Sequence, residues 1–194
     1  EKDEEKKFGP MYLDDHVLGT PSLALGQATR EALRTSDIVR EMLTEMIRGL
    51  RSDDPAIVED IKRKDNLVDL LDRQIRLYIA RLSSSNLTES QSRRVMTVLE
   101  VTRDLENIGD IIDRNIMPIA LKRITKGFVF SQEGMTEIVS FHKKTIENFD
   151  FAIAAFANHD RELAERVLRN KEELGLLERE LVQAHLERLR KGLR

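Results

Sequence analysis

No cysteine occurs in the 194 residues, so disulfides, thiolate-bound zinc and iron–sulfur clusters held by this chain are excluded. That absence is compatible with a reducing cytoplasm. Tryptophan is missing too, and only four Pro and nine Gly interrupt the chain. Such a shortage of breakers suits long helices rather than strands and their turns. No run of about 18 apolar residues exists, so these residues hold no membrane-spanning segment. Neither sign of charge dominates, since 32 Lys and Arg face 35 Asp and Glu. The balance gives no reason to expect nucleic acid or an anionic membrane surface as partner. The opening run Glu1-Lys2-Asp3-Glu4-Glu5-Lys6-Lys7 is charged and solvated, without the apolar stretch of a signal peptide. His16, His142, His159 and His185 lack metal-ligand spacing, and none follows a Glu by three residues as ferritin-like di-metal sites require. With no Walker loop, nucleophile elbow or Cys–His pair either, nothing argues for an enzyme.

What is present is helical periodicity. Thr20-Pro21 reads as an N-cap followed by Pro in the first turn, opening a helix to about Leu50. Asp54-Pro55 repeats that signature for a second helix to about Leu82, and Ser83-Ser84-Ser85-Asn86 reads as a turn. Thr88 with Gln91 forms a capping box. The helix it opens carries an apolar stripe of Val95, Val98, Thr102, Leu105, Ile108, Ile112, Ile116 and Ile119. Pro118, lacking an N–H, should kink or end it. A fourth helix covers about Glu133 to Ala157 and a fifth runs from about Asp160 to the end. No period-two alternation is sustained, so an all-α fold is expected.

The pattern also repeats. A shift of 107 residues lays Val39, Met42, Met46 and Leu50 on Ile146, Phe149, Ile153 and Ala157 without a gap. Ile61, Leu67, Leu70, Ile75, Ile79 and Leu82 then fall on Leu168, Leu174, Leu177, Val182, Leu186 and Leu189. Amphipathic hairpins share some of this pattern by chance, but an ungapped run through a turn favours duplication. The expected organisation is an N-terminal extended or linker segment at 1–19, a three-helix unit at 20–127 and an incomplete two-helix unit at 128–194. The chain stops where a sixth helix is due, either because a tail lies beyond these residues or because five helices are the whole design. Two helices alone leave an apolar stripe for the first unit or another chain to cover.

The chemistry sits on the second and third helices. Asp65 and Asp69 are four residues apart, as are Glu106 and Asp110, so each pair shares a face, roughly 40° apart. With the turn centred at Ser85 or Asn86, Asp65 and Glu106 come to nearly the same height, and Asp69 and Asp110 lie about one turn to either side. Carboxylate-only clusters of this kind suit hard cations. Gly109 costs a helix roughly 1 kcal/mol relative to Ala, which a close approach or a ligand would justify. Spaced acids on a 35% charged helical chain are also ordinarily solvated faces with i,i+4 partners, so spacing alone leaves both readings open.

Leu105-Glu106-Asn107-Ile108-Gly109-Asp110, followed by Asn115-Ile116, resembles the signature of the PhoU family of phosphate-signalling proteins. Lys64-Asp65-Asn66-Leu67-Val68-Asp69-Leu70-Leu71 is similar to that family's second-helix motif. The resemblance implies PhoU-like tandem antiparallel helical bundles, the second lacking its last helix here. It also implies multinuclear metal clusters on paired Glu/Asp-x-x-x-Asp motifs. Carried over, it makes Asp65, Asp69, Glu106 and Asp110 ligands of divalent or trivalent metal ions: Fe, Zn, Mn or Mg. Leu176 stands where the repeat would place the partner of Asp69, which argues against a second site.

Tyr12-Leu13-Asp14-Asp15 and Thr20-Pro21-Ser22-Leu23-Ala24-Leu25-Gly26-Gln27 resemble the start of the cytoplasmic PhoU-like domain of bacterial sodium/phosphate cotransporters. The implied function is a metal-binding regulatory domain in phosphate transport and homeostasis, on the cytoplasmic side of the membrane. Its implied partner is the transmembrane sodium/phosphate transport domain of the same polypeptide, and a homodimer is also open to it. Two alternatives stand beside this reading: a stand-alone PhoU-type adaptor and a metal-free helical scaffold or dimerisation module.

Overall fold

The structure, a computed structural model, describes residues 8–83 and 86–192. The charge run 1–7, and Ser84 and Ser85 of the expected turn, lie outside the described residues. The chain divides into two compact units, Glu1–Ile124 and Thr125–Arg194. After a short 3-10 turn, Asp15–Val17, come α1 (Pro21–Arg51), α2 (Ala56–Leu82) and α3 (Glu89–Asp110). A π-helical turn, Ile111–Ile116, joins α3 to α4 (Met117–Lys126), and α5 (Gln132–Asn158) and α6 (Arg161–Arg190) follow. Among the described residues there is no strand, and the fold is all-α.

Local chemistry sets the helix ends. Pro21 occupies the first turn of α1, while the Thr20 side chain makes no capping bond. The Asp54 carboxylate accepts the Ala56 N–H at the start of α2. Thr88 and Gln91 form the reciprocal capping box of α3. Ser131 accepts from Gly134 to cap α5, and Asp160 accepts from Leu163 to cap α6.

In the first unit α1, α2 and α3 each pack against the other two. Leu25, Met42, Ile61, Leu71, Ile75, Leu82, Leu105 and Ile112 are fully buried between them, each worth about 1.5–3 kcal/mol in apolar area removed from water. The apolar stripe of the third helix departs from its expected course at one point. Val95, Val98, Thr102, Leu105 and Ile112 are buried, but Ile119 is 46% exposed, and Met117 and Ala120 line the core instead. The cause is the π-helical turn. The Met117 N–H donates to the Ile112 carbonyl, a five-residue step that slips the buried face by one position. The helix continues past Pro118 to Lys126, and the missing N–H of Pro118 falls directly after the π-turn, where the regular ladder is already interrupted. Arg123 then reaches the Ser52 carbonyl and the Asp53 carboxylate at the end of α1.

The segment before α1 lies on the bundle. Glu31, fully buried, accepts the N–H groups of Met11 and Tyr12 at 2.8 and 2.7 Å. Arg34 bonds both Glu31 and the Gly9 carbonyl. Gln27 accepts the Asp14 N–H, and the Tyr78 hydroxyl donates to the Asp14 carbonyl. The Arg30 guanidinium lies 4.0 Å over the Tyr12 ring.

The second unit is the α5–α6 hairpin. Arg188 makes two bonds to Glu137, at 2.7 and 2.6 Å, and Asn148 donates to the Val167 carbonyl. His159 takes the left-handed conformation that ends α5, with φ 54°. Helices α1 and α5 end 107 residues apart, at Arg51 and Asn158, the spacing of the sequence repeat. Leu168, Val182, Leu186 and Leu189 of α6 are each at least half exposed.

Removing the buried acceptor of the N-terminal segment tests its grip. Glu31→Ala strands two N–H groups and the Arg34 guanidinium, and should lower unfolding free energy by about 2–4 kcal/mol. It should also speed proteolysis within residues 9–20, read by urea titration and limited digestion.

Candidate functional site

Helix α2 presents Asp65, Asp69 and Asp72 at i, i+4 and i+7, and α3 with its π-turn presents Glu106, Asp110 and Asp113 at the same intervals. Asp65, Asp69 and Asp110 each offer an oxygen within 4.8 Å of the others. In all three, Oδ1 is buried and has no hydrogen-bond partner. Asp65 is the deepest, with 4% of its surface exposed. Glu106 stands half-buried beside this trio, close enough to feel the charges of Asp110, Asp69 and Asp72.

Gly109 makes the approach possible. A Cβ at this buried position would lie 2.7 Å from Asp65 Oδ1, so any larger residue would push that carboxylate aside. The neighbouring Lys64 turns the other way, its ammonium bonded to Glu45 at 2.7 Å and Asp60 at 3.0 Å.

The four expected residues share the groove, but in a register one turn from the expected one. Asp65 faces Asp110 and Asp113 rather than Glu106, and Glu106 faces Asp69 and Asp72. Further along, Arg76, Ile79, Ser83, Met96 and Arg103 of the two helices line one concavity. Val95 is the first buried residue of α3. A count of residues from the turn treats loop and helix as equal rises, and they are not.

Burial and mutual repulsion govern the electrostatics. Burial first, then the charges of Asp69, Asp113 and Asp110, push the Asp65 carboxyl up to about 7 against the opposing pull of Arg114. Burial and Asp110 raise Asp69, opposed by Arg114 and Arg73. Burial raises Glu106 as well, with Asp110, Asp69 and Asp72 adding to it and Arg76 opposing. Guanidinium groups thus rim the acids. Arg76 Nε bonds both oxygens of Asp72 at 3.0 and 2.8 Å, and Arg114 Nη1 meets Asp110 Oδ2 at 2.8 Å. Asp72, Asp113 and Arg114 were missed by sequence reasoning. The continuation of each acidic pair by a third Asp three residues on was the available signal.

This donor set is all oxygen and anionic, and its inward oxygens lack protein partners. It fits a hard cation, which Asp65, Asp69, Glu106 and Asp110 could hold.

A bundle of antiparallel helices with an acidic groove between its second and third members is the class that fold and geometry define. Residues 32–116 match the family model described as PhoU domain. The chain is 30% identical over 185 residues to the Escherichia coli (strain K12) protein named "Putative inorganic phosphate export protein YjbB", covering 95% of this chain and 34% of that protein. It is 32% identical over 180 residues to the protein of that name from Salmonella typhimurium, covering 93% of this chain and 33% of the relative. The chain therefore spans about a third of the length of these relatives. It is also 24% identical over 160 residues to "Phosphate-specific transport system accessory protein PhoU" of Serratia marcescens, covering 82% of this chain and 64% of that protein. No solved structure matches the chain.

The raised Asp65 carboxyl has a consequence for pH. Folded Asp65 holds its proton up to about pH 7, whereas an unfolded Asp loses it near its ordinary value of 3.8. Between those limits the folded state binds more protons, so metal-free protein loses stability as pH rises from about 4 to 7 and no more above that. Urea unfolding in EDTA at pH 5 and pH 8 should give the lower midpoint at pH 8. Equal midpoints would contradict the burial of this carboxylate.

Proposed function

We propose that the first unit is a cation-binding regulatory domain in phosphate transport, attached to a sodium-dependent transmembrane phosphate transporter and lying on its cytoplasmic side. The observation that carries the cation reading is the set of three buried carboxylate oxygens on Asp65, Asp69 and Asp110 that have no protein donor. Buried acceptors are rarely left so, and an unanswered one costs about 1–3 kcal/mol. Asp65, Asp69, Glu106 and Asp110 are the proposed ligands, and Fe, Zn, Mn or Mg the candidate ions. A bound ion supplies positive charge at the groove, where phosphate is the effector that positive charge would attract. The role is binding rather than turnover.

The link to transport rests on the names of the relatives and on their extra length, about twice that of this chain. Among the described residues no helix is long and apolar enough to cross a membrane. A second reading, a separate PhoU-type adaptor, is favoured by the match to the Serratia marcescens accessory protein over 64% of its length. Hydrophobic spans encoded upstream of Glu1 distinguish the two.

Elemental analysis of the full chain purified without chelator tests the site. Wild type should retain metal, and Glu106→Ala should lower affinity at least as much as the roughly 10–100-fold typical of groups one step removed from a metal. Gly109→Ala should also lose metal, because its Cβ displaces Asp65 Oδ1, although Ala favours the helix by about 1 kcal/mol. Equal metal content in all three proteins would leave the helical scaffold as the better account.

A further inference from the structure

We propose that Arg114 is a tethered cation holding the outer oxygen of Asp110, so that a metal ion taking both oxygens of that carboxylate must displace it. The inference rests on the cation reading above and adds a residue that tunes it. Arg114 lies in the π-turn, four residues after Asp110, and its Nη1 is 2.8 Å from Asp110 Oδ2. The other oxygen of that carboxylate, Oδ1, points into the groove, buried and unbonded. Asp110 is thus divided between an inner side shared with Asp65 and Asp69 and an outer side taken by the guanidinium. The positive charge of Arg114 also reaches Asp65 and Asp69, where it opposes their mutual repulsion.

An ion bound at Oδ1 alone can coexist with this pair. Chelation by both oxygens, or an Asp110 bridge between two ions, requires Oδ2 and therefore Arg114's departure. The side chain is free to leave, being 62% exposed while its partner carboxylate is 23% exposed. An exposed pair of this kind is individually weak, so an ion of higher charge can compete for the oxygen. Arg114 steadies the groove before loading and weakens the affinity for what loads it.

The experiment uses the full chain and Mn²⁺ alone, with free Mn²⁺ counted by electron paramagnetic resonance. Arg114→Gln should bind Mn²⁺ about tenfold more tightly than wild type, equivalent to about 1.4 kcal/mol. Arg114→Lys, which keeps the charge, should stay near wild type. In EDTA at pH 8 Arg114→Gln should melt below wild type, and in saturating Mn²⁺ the two should melt together. Equal or weaker Mn²⁺ binding by Arg114→Gln, with wild type binding normally, overturns the inference and makes Arg114 an outer support of Asp110. Absence of Mn²⁺ binding in wild type and both variants overturns this inference and the cation reading together.

Discussion

Repulsion among carboxylates that each turn one oxygen away from water is the constraint around which the first unit is arranged. Three acids from two helices meet within 4.8 Å, and one oxygen of each is buried without a donor. Such an arrangement persists only if the scaffold over-determines it. Here the scaffold is a core of Leu, Ile and Met side chains on all three helices, together with a buried Gly109 that lets α3 come against Asp65. Packing supplies the free energy that the acids consume. The guanidinium rim of Arg76 and Arg114 offsets part of the repulsion without entering the groove.

Much of this was legible in the sequence, because the devices that end helices are local. Pro21, Asp54, the Thr88–Gln91 box and Asp160 act on their own turns, and the helices begin where these residues stand. The i,i+4 acid pairs were legible for the same reason, since helical spacing alone puts each pair on one face. Register was not. How far α3 slides along α2 is decided by which side chains interlock, and no residue near the turn records it. The π-turn was hidden as well. A 3.6-residue stripe extrapolated past Ile112 selects Ile116 and Ile119, whereas the five-residue step selects Met117 and Ala120.

The two units put similar apolar stripes to different ends. In the first, three helices enclose their apolar faces and can carry buried charge. In the second, α5 and α6 have no fully buried residue among those described, and Leu176 stands where the first unit has Asp69. A buried carboxylate needs a third helix to desolvate it, and in the first unit α1 packs against both helices that carry the acids.

The N-terminal segment is gripped almost wholly by its main chain. Glu31 takes the N–H groups of residues 11 and 12, Gln27 that of residue 14, and Arg34 and Tyr78 take carbonyls of residues 9 and 14. What the bundle holds is therefore a path rather than a set of side chains. Inherited changes along residues 9–14 can accumulate with little effect on attachment, while the burden of keeping it falls on four distant positions of α1 and α2.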